Sequence, residues 1–222
     1  MVTAILIPSL NRPQRIRPTA EAIHAATPEP HRIYWLVSDW ESEQAIGQLG
    51  EWCATDYDTT DRRYVTRMNK LVSQLDDDVD FIFFGSDDVI HHPGWVREAM
   101  RVFADPTIQL VVVNDLRNQN GTQAIIRRAY LEFATFDAPG MPFHRGYQHN
   151  FADTEQFLTA HVRGVYARSM SSFVEHLHPV MNGPKKIDWD DTYLNAAKGF
   201  DKDQELFRAR AELIVADLSP VP

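Results

Sequence analysis

The sequence predicts an α/β protein built on a mainly parallel sheet flanked by helices. Short apolar runs recur at VTAILIP (2–8), RIYWLVSD (32–39), DFIFF (80–84) and IQLVVVND (108–115), and segments with helical spacing separate them. The runs are apolar throughout rather than alternating, as strands covered by helices on both faces are.

Taken in order, VTAILIP is rich in β-branched residues and stops at Pro8, which marks a buried strand. Pro18 is expected to open the first helix, with Ala20, Ile23 and Ala26 on its apolar side. RIYWLVSD forms the second strand, and the acidic ESEQAIGQLGEW after it has helical character. In RRYVTRMNKLVSQL (62–75), Val65, Met68, Leu71, Val72 and Leu75 fall at helical spacing and leave Arg67, Asn69 and Lys70 off the stripe. After DFIFF, Pro93 starts a helix that buries Val96, Ala99, Met100 and Phe103. The alternation breaks at about residue 116, where a polar turn (RNQNGTQ) leads into AIIRR and a loop with Pro139, Gly140, Pro142 and Gly146. DTEQFLTAHVRGVYA reads as a helix, SSFVEHLH as a late strand, and the chain from Asp190 onward as a helical extension.

The 222 residues are 44% hydrophobic and include 5 Trp, enough for a real core; Trp35 and Trp95 are expected within it. A net charge of −9 without a Lys/Arg-rich run excludes a general nucleic-acid binder. A negative protein that handles a negative ligand needs a local positive device, either arginines or a metal. The single cysteine, Cys53, allows no internal disulfide and fits a reducing compartment. With no signal-like N-terminus and no long apolar run, the expectation is a soluble, cytoplasmic protein without a transmembrane segment.

Ligands of open α/β sheets bind beyond the carboxyl ends of the strands. The first strand ends in Pro8-Ser9-Leu10-Asn11-Arg12, the second in Ser38-Asp39 and the central one in Ser86-Asp87-Asp88, so three polar clusters meet at one edge. Asp87 and Asp88 pose a problem there. Two adjacent carboxylates repel, and no cation neighbours them in the sequence. The reading therefore expects positive charge from outside the chain, against the blander alternative of a capped turn.

These residues resemble the glycosyltransferases of the GT-A fold, family 2 in particular, over roughly residues 2 to 165. The resemblance rests on PSLNRP (8–13), Asp39 after the second strand, RMNK (67–70), the apolar strand running into FIFFGSDD, and Asp153-Thr154-Glu155. One departure is Gly85, which stands where the first aspartate of the DXD motif is usual. The resemblance implies a single GT-A domain over 1–222, with a nucleotide-sugar-binding half (1–115) and an acceptor-binding half with a helical tail (116–222). It implies Mn²⁺ or Mg²⁺ held by Asp87 and Asp88, with His176 or His178 as a further ligand. A nucleotide-sugar donor, UDP favoured, would be bound by Pro8, Ser9, Asn11, Arg12, Asp39, Arg67 and Asp87, and Lys70 is a weaker phosphate candidate. Asp153 would be the general base toward an unidentified glycan or protein acceptor, with Glu155 in reserve and inversion as the outcome. Asp153 with Gln156 also reads as a helix-capping box. Trp189 could stack on a sugar or pin the tail. A metal-dependent phosphoester hydrolase using Asp87, Asp88, His91 and His92 and a non-catalytic GT-A-like binding module are the alternatives. A nucleotidylyltransferase is weak because no Gly-rich phosphate loop follows the first strand.

Overall fold

The computed structural model describes residues 1–116, 121–179 and 189–218. Its strands are β1 (Val2–Pro8), β2 (His31–Val37), β3 (Cys53–Tyr57), β4 (Val79–Phe84), β5 (Val89–His91), β6 (Leu110–Asn114), β7 (Ala124–Arg127) and β8 (Tyr166–His176). They form one sheet in the order β3-β2-β1-β4-β7-β6-β8-β5. The ladders β1·β2, β2·β3, β1·β4 and β6·β8 are parallel. β7 runs antiparallel between β4 and β6, and β5 runs antiparallel along β8. Six strands therefore point one way, and their carboxyl ends share one edge.

The helices are α1 (Pro13–Ala26), α2 (Trp40–Gly47), α3 (Tyr64–Val72), α4 (Trp95–Val102), α5 (Ala152–Val162), α6 (Asp191–Lys198) and α7 (Phe200–Asp217), with a 3₁₀ turn at Arg128–Glu132. Two apolar layers sandwich the sheet. On one face Leu6, Leu36, Ile82, Val112 and Ile126 pack with α3 and the side of α5 and α7. On the other, Ile5, Trp35, Phe83 and Val111 pack with α1, α2 and α4. Trp35 and Trp95 are buried in this second layer, as their sequence context predicts.

Several boundaries differ from the sequence reading for local reasons. The first helix starts at Pro13, where a missing N–H costs nothing, and carries Pro18 inside it on the exposed side. β3 carries no apolar run because it is a largely exposed edge strand, and β5 spans three residues. The fifth helix stops at Val162 because Gly164 adopts a left-handed φ of 72°. That frees Tyr166 and Ala167 to join β8 rather than extend the helix. Most of the polar turn expected after residue 116 lies outside the described residues. Among the described residues no helix is long and apolar enough to cross a membrane.

Candidate active site

The carboxyl edge of the sheet opens into a cavity of about 720 Å³. Of the residues singled out from the sequence, Pro8, Arg12, Arg67, Asp87, Asp88, Asp153, His176 and His178 line it. Ser9 reaches it by donating from Oγ to Asp87 Oδ2 at 2.6 Å. Asn11 and Asp39 lie to one side. Asn11 takes a positive φ of 52° in the β1–α1 turn, and its Oδ1 accepts from Ser38 Oγ at 3.2 Å. Asp39 caps α2, accepting from Ser42 N and Ser42 Oγ, both at 2.7 Å.

The charge that the acidic pair lacks in the sequence comes from within the chain. Arg12 Nη1 lies 2.5 Å from Asp87 Oδ1, and Arg15 Nη1 adds a longer contact at 3.6 Å. With Ser9 donating to Oδ2, both Asp87 oxygens are engaged. Asp87 thus anchors Arg12. Asp88, next to it in the turn between β4 and β5, takes a different set of partners. It accepts from Tyr193 Oη at 2.7 Å and from Ser86 Oγ, and His176 Nε2 stands 3.5 Å away. Burial alone would raise the Asp88 carboxyl, but His176, Ser86 and Tyr193 together hold it well below the carboxylate range. Burial works likewise against the His176 cation, yet the Asp88 charge outweighs it and raises the imidazole. Thr122 Oγ1 contacts His176 Nδ1 at 3.0 Å and donates to Asp115 Oδ2 at 3.0 Å, which extends the network to the end of β6.

Gly85 has a steric reason to replace an aspartate. Its N–H donates to Leu6 O at 3.0 Å across the β1·β4 ladder. A Cβ there would meet Phe83 Cε1 at 2.9 Å and Leu6 O at 3.3 Å. Gly85→Asp is accordingly expected to lower stability by about 2 kcal/mol, measured by urea unfolding, without adding a working ligand.

A metal fits this site through a small donor set. Divalent ions beside phosphates are commonly held by one or two carboxylates, with substrate oxygens and water completing the shell. Asp88 and His176 supply an oxygen and a nitrogen that converge in the cavity wall, chemistry that suits Mn²⁺. Among the described residues no group of three or more His, Cys, Asp or Glu is placed to hold an ion. His178 lines the cavity with its ring edge-on to Tyr193, 5.0 Å between centroids. His91 points elsewhere, packed against Phe83 and Trp95, and burial pushes its imidazole down to about 3. That removes one ligand from the hydrolase reading.

Arg67 lines the cavity and is held by backbone carbonyls. It is 1% exposed, and its fork donates to the carbonyls of Asp58 at 3.0 Å, Asp61 at 3.2 Å, Ser9 at 3.3 Å and Leu36. The guanidinium expected on a phosphate therefore ties the ends of β1 and β2 to the β3–α3 loop. Burial lowers its pKa to about 10. Lys70 is spent on Asp56 at 2.8 Å and Asp58 at 3.0 Å. Arg67→Met should cost about 3 kcal/mol in equilibrium unfolding, because buried carbonyls lose charged donors.

Asp153 stands in the first turn of α5, where Phe151 with φ 63° takes the cap position. The capping box does not form: Gln156 donates to Pro142 O at 3.0 Å, and among the described residues Asp153 Oδ1 accepts from the adjacent Thr154, at 2.8 Å from N and 3.3 Å from Oγ1. The crowded cavity wall raises the Asp153 carboxyl above its ordinary 3.8. Glu155 drops out as the reserve base. It is 2% exposed and accepts from Tyr147 Oη at 2.6 Å and Arg210 Nε at 2.7 Å. Arg210 also holds the exposed Asp137 at 2.8 Å, so an ion network centred on buried Glu155 pins α7 to α5.

Four cavity or rim residues were missed in the sequence. Tyr64 precedes the α3 stripe and faces the cavity, and burial there raises its hydroxyl. His149 lies in the Pro/Gly-rich loop, where burial lowers its imidazole to about 4 and leaves it neutral at pH 7. Asp190 and Tyr193 come from the tail, whose acidic DWDD stretch was the one available signal. Trp189, 50% exposed, meets Tyr193 edge-on at 6.3 Å.

No protein-family model matches the sequence, nor does any curated protein. Solved structures do match. Staphylococcus aureus TarS (residues 1–349) in complex with UDP-GlcNAc superposes with a TM-score of 0.67 at 11% identity, covering 98% of this chain and 71% of that one. Glucosyl-3-phosphoglycerate synthase from Mycobacterium tuberculosis, with Mn²⁺, UDP and glucosyl-3-phosphoglycerate, gives 0.64 at 13% identity, covering 95% and 80%. A mannosyltransferase from Pyrobaculum calidifontis, with GDP-Man and Mn²⁺, gives 0.63 at 13% identity, covering 99% and 76%. The sheet order, the cavity at its carboxyl edge and these superpositions agree, and the fold of this chain is that of the GT-A glycosyltransferases.

Proposed function

We propose that the protein is a metal-dependent glycosyltransferase that moves a sugar from a nucleotide-sugar donor to an acceptor hydroxyl with inversion. The observation that carries this reading is the convergence of Arg12, Asp87, Asp88, Asp153 and His176 on one cavity at the carboxyl edge of a GT-A sheet. Residues 1–115 would supply most of the donor side, and residues 116–222 the acceptor side. Asp88 and His176 are the residues to hold Mn²⁺ or Mg²⁺, which when bound stabilises charge on the departing diphosphate as a Lewis acid.

The chain's own residues do the rest. Arg12, steadied by Asp87 and Ser9, presents a planar fork to phosphate oxygens. Asp39 is the carboxylate to accept a nucleobase N–H, since each of its oxygens keeps a lone pair beside its capping bonds; uracil N3–H is the favoured donor, and guanine also presents N–H groups. Asp153 takes the acceptor hydroxyl proton, a role suited by a carboxyl whose pKa is raised. His149, neutral, can accept a hydrogen bond from the acceptor in the same wall.

The test is a melting screen with UDP and GDP, with and without Mn²⁺. Selective stabilisation by one nucleotide only with Mn²⁺ supports the reading, since a ligand at ~100 times its dissociation constant adds about 2.7 kcal/mol. Calorimetry that finds neither nucleotide nor metal uptake sinks it. A non-catalytic GT-A-like module is the second reading, favoured by one observation: the acidic pair is already neutralised by Arg12 and His176. Slow donor hydrolysis by the wild type would exclude that module.

A further inference from the structure

Arg12 stands between two carboxylates of different exposure. Asp87, its partner on Nη1, is 2% exposed in its side chain, whereas Asp190, its partner on the other edge, is 36% exposed. Asp190 grips that outer edge bidentately, Nε to Oδ2 at 2.8 Å and Nη2 to Oδ1 at 2.9 Å. The ring of Tyr193 covers one guanidinium face, 4.7 Å from Cζ, while its hydroxyl sits on Asp88. The α6 start thus touches both the cation and the carboxylate that the donor site needs. A fork-on-fork pair of this kind is the geometry in which arginine binds phosphate.

We infer that Asp190 occupies the edge of Arg12 meant for the donor's diphosphate, and so sets donor affinity by competing for it. The inference rests on the donor-site reading above. A carboxylate and a diphosphate cannot both use Nε and Nη2, so the donor binds Arg12 by displacing Asp190 toward solvent. Tyr193 leaves Asp88 in the same movement, because Asp190 Oδ1 also caps α6 through the amides of Thr192 at 3.0 Å and Tyr193 at 3.3 Å. Donor binding and release of the α6 start are then one event. The inner edge, held by Asp87, stays in place throughout.

Calorimetry on Asp190→Asn and Asp190→Ser tests this, since both side chains still cap a helix but neither carries charge. With Mn²⁺ present, both variants are expected to bind UDP and inorganic pyrophosphate about tenfold more tightly than the wild type. Hydrogen exchange gives an independent readout: UDP with Mn²⁺ should speed exchange over Asp191–Lys198 in the wild type. Unchanged or weaker UDP affinity in both variants overturns the inference while leaving the donor site standing. Greater protection of α6 on UDP binding overturns it too, by making Asp190 a clamp instead of a competitor. If wild type and variants bind neither UDP, GDP nor pyrophosphate, the donor-site reading fails and the inference falls with it.

Discussion

Asp153→Asn is expected to lower the rate of sugar transfer by about 10³-fold and to leave nucleotide affinity within about twofold. The substitution keeps the shape of the side chain and its contact with Thr154, but removes the acceptor for a proton. Donor binding is spared because Asp153 makes no bond to Arg12, Asp87 or Asp88, which carry the proposed phosphate and metal contacts. The pH–rate profile gives a second check. A base works only when deprotonated, and the folded carboxyl titrates above 3.8, so the acid limb of the wild-type profile should lie above that value. Activity is lost as pH falls through that limb, and the limb should vanish in the variant's residual rate. Equal rates for wild type and Asp153→Asn would remove Asp153 from the reaction and leave inversion without a base.

Asp203→Ala should destabilise the fold by about 3 kcal/mol or more, a size that single surface changes do not reach. Asp203 is fully buried on α7 and accepts three backbone N–H bonds from one loop: Gln148 at 2.9 Å, His149 at 2.9 Å and Asn150 at 2.8 Å. Without the carboxylate three donors lose their partner, and each buried donor left unmade costs about 1–3 kcal/mol. Asn150 Nδ2 makes one further tie, to Ala196 O at 2.9 Å, which cannot replace them. Urea unfolding measures the loss. Asp203→Asn, which keeps one acceptor oxygen, should lose about half as much. A loss below ~1 kcal/mol for the alanine variant would mean that the loop holds its shape through other contacts.

Much of the fold could be read from uninterrupted apolar runs. β1, β2, β4 and β6 announce themselves because they are buried on both faces, which confines their polar residues to the strand ends. β3 and β5 could not be read in the same way. One lies exposed at a sheet edge, and the other is held in register by β8, a partner some 85 residues away in the chain. Within the candidate site, the strand-end residues were legible because topology alone brings them together. What they bond to was not. Arg12 faces Asp87 and Asp190 across separations of 75 and 178 residues, so its pairing depends on the packed fold, not on local sequence. Arg67 and Asp87 illustrate the same limit. Residue type suggested phosphate and metal, and it gave no sign of the backbone carbonyls and the Arg12 guanidinium that hold them in the fold.

The bonding of buried Glu155, Tyr147 and Arg210, with Asp137 at its exposed edge, together with the grip of Asp203 on residues 148–150, welds the last long helix to the floor of the cavity. Such a floor cannot be reshaped piecemeal, because altering any one member strands a charge or a row of amides. Retooling the protein for a different partner therefore has to proceed through exposed rim side chains such as Arg62 and Lys198, where a substitution leaves the scaffold's energetics nearly untouched.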